Sequence, residues 1–175
     1  TMKKFFDHEF HRRQSNIIAQ GCLTNSKSPD CFVKGVYPNV IEYAEGCNLY
    51  DEKRNCFVDY ICGLGTNLFG YGNREITDAI ISELRAGISY SLSSKTEVEA
   101  GERLKGLLKF IERVKFVKTG SEACSAAIKI ARAYTGRQFV LSQGYHGWHD
   151  EFTSLTPPAL GVCPQTYMHK LTSVD

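Results

Sequence analysis

Apolar residues recur at helical spacing in some stretches of this 175-residue chain and cluster or alternate in others, and those two periods separate helices from strands. Between residues 3 and 20, Phe6, Phe10, Ile17 and Ile18 form one apolar side and predict an incomplete amphipathic helix. The stretch "CLTNSKSPD", residues 22–30, is rich in turn formers and reads as a loop. In "NVIEYAEGCNLYDEKRNCFVDYI" short apolar runs are separated by turn residues, which predicts a β-meander across residues 39–62. The following "CGLGTNLFGYGN" carries Gly63, Gly65, Gly70 and Gly72, too many for a regular element, so it reads as a loop suited to close backbone approach.

Downstream the helical period takes over. "REITDAIISELRAG" places Ile76, Ile80, Ile81 and Leu84 on one face, with Gly87 positioned to stop the helix. "KTEVEAGERLKGLLKFI" predicts a second helix, capped by Thr96 or a preceding serine, with Val98, Leu104, Leu107 and Leu108 as its apolar positions. "RVKFVKT" reads as a short strand. In the segment beginning at Gly120, residues Ala123, Ala126, Ala127, Ile130, Ala131 and Tyr134 mark the apolar face, opposite Ser125, Lys129 and Arg132. Gly136 ends that helix, and "RQFVLSQ" resumes as a strand before "GYHGWHD". Helices alternating with strands predict an α/β sheet with parallel neighbours.

Two stretches carry candidate chemistry. A strand, the turn Gly120–Ser121–Glu122 and a helix start together make an anion site, because the first amides of a helix lack internal partners and carry the positive end of its dipole. The alternative is that Ser121 or Thr119 only caps the helix. In Gly144–Asp150, directly after a predicted strand, Tyr145 offers a ring face for stacking, in the place where open α/β sheets bind ligands. His146 and His149 lack the carboxylate or thiol spacing of a recognised metal motif, so no metal site is predicted. "GLGTNLFGYG" meets neither nucleotide-binding fingerprint, and no serine-hydrolase elbow is present.

Composition narrows the class further. With 42% hydrophobic and 23% charged residues and a net charge of +2, the chain has the balance of a globular protein and no excess charge that calls for nucleic acid or an anionic membrane. The seven cysteines are odd in number and never spaced C-x-x-C, as expected of reduced thiols in the cytoplasm. Charges interrupt "TMKKFFDHEFHRRQSN" too often for a signal-peptide core.

Read in order, "VKFVKTGSEACSAAIKIARAYTGR" and "GYHGWHD" resemble the class III (ω-type) pyridoxal-phosphate-dependent aminotransferases, and among them the glutamate-1-semialdehyde 2,1-aminomutase group. Upstream, "EGCNLYDEKRNCFVDYICGLGTNLFGYGN" is similar to the family's hairpin and glycine-rich segment, so the resemblance spans residues 36 to 152. It implies a fold-type I transferase, normally a homodimer, with residues 1–62 as an N-terminal segment and the β-meander of the small domain. Residues 63–175 would then be the first part of the large cofactor-binding domain. It also implies that Gly120 and Ser121 hold the phosphate of pyridoxal 5'-phosphate, that Tyr145 stacks on its ring, that His146 lines the same pocket and that Glu122 holds the turn. The substrates would be a small-molecule amino donor and a carbonyl acceptor.

Departures bear on the substrate. Tyr71 stands where the family commonly has histidine, Arg74 where it has proline, and Leu64 where the aminomutases carry an aromatic facing the substrate. A closer analogy is to aminomutase-like proteins acting on sugars or small keto acids, and a racemase or decarboxylase of the same family stays open. The family's Schiff-base lysine and the aspartate pairing with the pyridine nitrogen lie beyond the quoted motifs, and Lys170 lacks the surrounding pattern. No catalytic residue is therefore assigned in this chain, which reads as the front half of an enzyme. Alone it is expected to be inactive, associating with its missing half, and a catalytically dead binding or assembly module is the rival reading.

Overall fold

Asp7 decides where the first helix begins: its side chain accepts a hydrogen bond from the Phe10 amide at 2.8 Å and caps α1, His8–Ile17. The computed structural model describes residues 4–33, 35–153, 160–162 and 169–170. It divides the chain into two compact units, Thr1–Ser91 and Leu92–Asp175. Because the cap falls at Asp7, Phe6 lies outside the helix and rests its ring against His8 and His11, at 5.0 and 5.2 Å. Ile17, expected on the apolar side, is 83% exposed. The half-buried face is instead Phe10, His11 and Gln14.

The predicted meander forms within residues 39–62. Strands β1 (Tyr43–Glu45), β2 (Asn48–Tyr50) and β3 (Cys56–Val58) pair antiparallel in sequence order. Tyr43 stands opposite Tyr50 with their rings stacked at 4.4 Å, and Leu49 stands opposite Phe57. Buried Asp51 closes the β2–β3 turn by accepting from the amides of Lys53 and Asn55 and from the Asn55 side chain.

The glycine-rich stretch folds back onto this meander. Gly46 and Tyr71 exchange backbone hydrogen bonds at 3.0 and 2.8 Å, and a Cβ on Gly70 would stand 3.1 Å from the Gly46 carbonyl oxygen. Tyr71 also donates its hydroxyl to Asp59 at 2.7 Å. Within the loop, Cys62–Gly65 forms one helical turn, α2. Asn73 then caps α3, Arg74–Ala86, and Gly87, at φ 108°, ends it as expected.

In the second unit, α4 (Lys95–Leu107) starts at a reciprocal cap between Ser94 and Glu97, so the serine rather than Thr96 is the capping residue. The helix stops at Leu107 instead of running to Ile111, and Gly106 weakens its last turn. Residues 113–119, expected as a strand, form no ladder among the described residues. Of the predicted strand after Gly136, only β4 (Leu141–Ser142) is paired, parallel to β5 (His169–Lys170). Strands exist by pairing, and these two apolar runs have few described neighbours to pair with.

Helix α5, Gly120–Thr135, is the longest element and ends at Gly136 in a left-handed conformation, φ 68°. Its packed face differs from the expected one. Ser125 and Ile128 are buried, with Cys124 half-buried, and a small core forms where Ile128 meets Phe152 of α6 (Asp150–Thr153), together with Cys124 and Val140. Ile130 and Tyr134, on the expected core face, are 69% and 91% exposed. Ser125 tolerates burial because its hydroxyl is hydrogen-bonded.

Candidate functional site

The mouth of α5 is built by its own cap. Thr119 is extended and accepts from the Glu122 amide at 3.2 Å, while the Glu122 carboxylate accepts from the amides of Lys118 and Thr119, both at 2.9 Å. Thr119 is therefore the cap, and the Ser121 hydroxyl is spared from that task. The carboxylate of Glu122 holds the turn. This arrangement leaves the amides of Gly120 and Ser121 without an acceptor among the described residues, at the positive end of a helix of 16 residues. Nothing lies within 4 Å of a Cβ built on Gly120, so the mouth is open.

The loop after β4 docks against this mouth. Gly147 is buried at φ 119°, and a Cβ there would stand 2.9 Å from the Ser121 Cα and closer still to its Oγ. Only glycine permits that approach. The Trp148 amide points at Ser121 Oγ from 3.4 Å, and one turn further along α5 Ser125 Oγ lies 2.8 Å from His149 Nδ1. Tyr145, two residues before the Gly147 contact, is 85% exposed, leaving its ring free to stack. His146 turns back on its own loop: its Nε2 donates to the Gln143 carbonyl at 2.6 Å, and its ring sits 5.7 Å from that of Phe152.

The sequence-predicted residues Gly120, Ser121 and Glu122 are thus brought together at the helix start, and the loop bearing Tyr145 and His146 is seated beside them. Sequence reasoning passed over Gly147, Ser125 and Glu151. The available signal was the spacing of Ser121 and Ser125, four apart and hence on one helical face. Burial pushes the Glu151 carboxyl up, but the Ser125 hydroxyl, its own backbone amide and the nearby His149 and Lys129 outweigh it, and the pKa is lowered. Among the described residues no group of three His, Cys, Asp or Glu side chains is placed to hold a metal ion.

The first unit carries a separate open groove of about 900 Å³, lined by Phe6, Phe32, Tyr43, Phe57, Leu64 and Tyr71 among others. No helix among the described residues is long and apolar enough to cross a membrane.

Residues 33–172 match the family described as Aminotransferase class-III. The chain is 34% identical over 151 residues to a 3-aminobutyryl-CoA aminotransferase of Cloacimonas acidaminovorans, covering 84% of this chain and 36% of that protein. It is 41% identical over 118 residues to a glutamate-1-semialdehyde 2,1-aminomutase of Francisella philomiragia, covering 66% of this chain and 27% of that one. Among solved structures, the PLP internal aldimine form of the FumI protein of Sphingopyxis sp. MTA144 superposes with a TM-score of 0.84 at 27% identity, covering 95% of this chain and 40% of that chain. The chain thus spans about a third of the length of the relatives it matches.

Proposed function

Because the chain belongs to the class-III aminotransferase family, we propose that the protein transfers amino groups with pyridoxal 5'-phosphate, and that this chain supplies the phosphate- and ring-binding part of the site. The observation that carries the reading is the pair of amides at Gly120 and Ser121, which have no acceptor among the described residues and are flanked by the docked Tyr145 loop. Two amides, one hydroxyl and a helix dipole fit a phosphate ester. The likeness to FumI, whose structure contains PLP, supports the same cofactor.

Each residue then has a task. Gly120 and Ser121 bind the phosphate, Tyr145 orients the ring by stacking, and Glu122 and Thr119 keep the turn in place. His146 shapes the loop that borders the pocket. The bound cofactor supplies an electron sink for loss of a proton from the carbon that carries the amino group. The substrates are a small amino donor and a carbonyl acceptor, as the names of the aminotransferase and aminomutase relatives suggest.

On this reading the fold is that of the fold-type I transaminases, with residues 1–62 in the small domain and 63–175 opening the large one. A cytoplasmic homodimer is part of the proposal, and the thiols at Cys22, Cys31, Cys47, Cys56, Cys62 and Cys124, all unpaired, support that compartment. Calorimetric titration of the full-length apo-protein with pyridoxal phosphate and with inorganic phosphate tests the site. Binding of both, weakened in each case by Ser121→Ala, is expected, and binding of neither would overturn the proposal.

A further inference from the structure

The buried hydroxyl of Ser125 takes no part in capping α5, yet it makes the shortest hydrogen bond between the helix and the 144–149 loop, 2.8 Å to His149 Nδ1. A serine hydroxyl and an imidazole nitrogen can each donate or accept, so the two groups complete this bond in either direction. The bond ties the end of the loop to a helix position one turn below Ser121.

That anchor matters because of what lies upstream in the loop. Gly147 presses on Ser121, and the Trp148 amide faces the Ser121 hydroxyl at 3.4 Å, a long contact that cannot hold the loop by itself. Tyr145 has an exposed ring, so its placement is inherited from the backbone that carries it. We propose that Ser125 and His149 form a positioning latch, their hydrogen bond setting how closely the 144–149 loop seats on α5 and thereby where Tyr145 stands beside the Gly120–Ser121 mouth. The latch rests on the cofactor reading above. Both members act through Tyr145 and are positioning residues.

The test uses the full-length apo-protein and the variants Ser125→Ala, His149→Phe, His149→Asn and Ser125→Ala/His149→Phe. Asparagine keeps a hydrogen-bonding group near the Nδ1 position, whereas phenylalanine removes it. Ser125→Ala and His149→Phe should each weaken pyridoxal phosphate binding about threefold to tenfold, the scale of one hydrogen bond, and leave affinity for inorganic phosphate unchanged. Both should speed amide hydrogen exchange across residues 144–149 and alter the visible circular dichroism of the bound cofactor. The double variant should bind no more weakly than the singles, because both remove the same bond, and His149→Asn should bind as wild type does. Unchanged cofactor affinity and exchange in the single variants would overturn the latch, as would an additive double variant or an His149→Asn as weak as His149→Phe. A wild-type protein that binds neither phosphate nor cofactor would overturn the site reading and the latch with it. Binding of both by wild type, with no effect of the variants, would overturn the latch alone.

Discussion

A single carbon added to Gly147 would stand 2.9 Å from the Cα of Ser121, 26 residues earlier at the mouth of α5. Gly147→Ala therefore combines a backbone clash with a left-handed φ of 119°. We expect it to lift the loop, with a cost of about 1–3 kcal/mol from the backbone strain alone. Thermal unfolding of the full-length protein and cofactor titration would both register it, and wild-type values in both would show that the loop is not seated on Ser121.

Tyr145→Ala removes an exposed ring without disturbing any packed contact. Pyridoxal phosphate affinity should fall by about 0.5–1.5 kcal/mol, the scale of an aromatic stacking contact, with inorganic phosphate affinity unchanged. Equal cofactor affinities in wild type and variant would remove Tyr145 from the site.

Tyr71 pins the glycine-rich loop to the meander through Asp59, so Tyr71→Phe should destabilise the protein by about 0.5–1.5 kcal/mol near neutral pH. The Tyr71 hydroxyl, helped by the amides of Ile61, Cys62 and Gly63 and opposed by burial, holds the Asp59 carboxyl below its ordinary 3.8. A lowered folded-state pKa contributes stability above the unfolded value, and that contribution is lost as pH falls through the folded value. The difference between wild type and Tyr71→Phe should thus be full at pH 7 and shrink in acid below 3.8. Urea unfolding at both pH values checks it, and a pH-independent difference would contradict the pairing.

Ser142, at the end of β4, is 6% exposed and its hydroxyl has no partner among the described residues. A buried unsatisfied hydroxyl costs about 1–3 kcal/mol, so Ser142→Ala should leave stability unchanged or raise it by about 1 kcal/mol. A clear loss of stability on chemical unfolding would show that the hydroxyl is bonded in the full-length protein.

Local chemistry was legible in the amino-acid sequence wherever a cap, a turn or a tight loop is made by residues near one another. The meander within residues 39–62, the stop of α3 at Gly87, the end of α5 at Gly136 and the turn at Gly120–Ser121–Glu122 depend on contacts a few residues long. The motif order that carries the family resemblance is likewise linear, and the match over residues 33–172 bears it out. The start of α1 was misread because Asp7 outcompetes the apolar period that includes Phe6.

What periodicity could not decide was which face of α5 is buried. Ile130 and Tyr134 of its apolar side face outward, while Ser125 of the polar side is buried together with Ile128. Period alone ranks faces by hydrophobicity, but a hydroxyl costs little to bury once a partner meets it, and that partner, His149, is 24 residues away. The division of labour at the helix mouth was also settled in three dimensions. Thr119 and Ser121 are both hydroxyl residues at the right place to cap, and the sequence determined only that one of them would. The extended conformation of Thr119 and the approach of Gly147 and Trp148 to Ser121 separated the two roles, because a hydroxyl can cap only if it lies over the N3 amide, and Thr119 alone does.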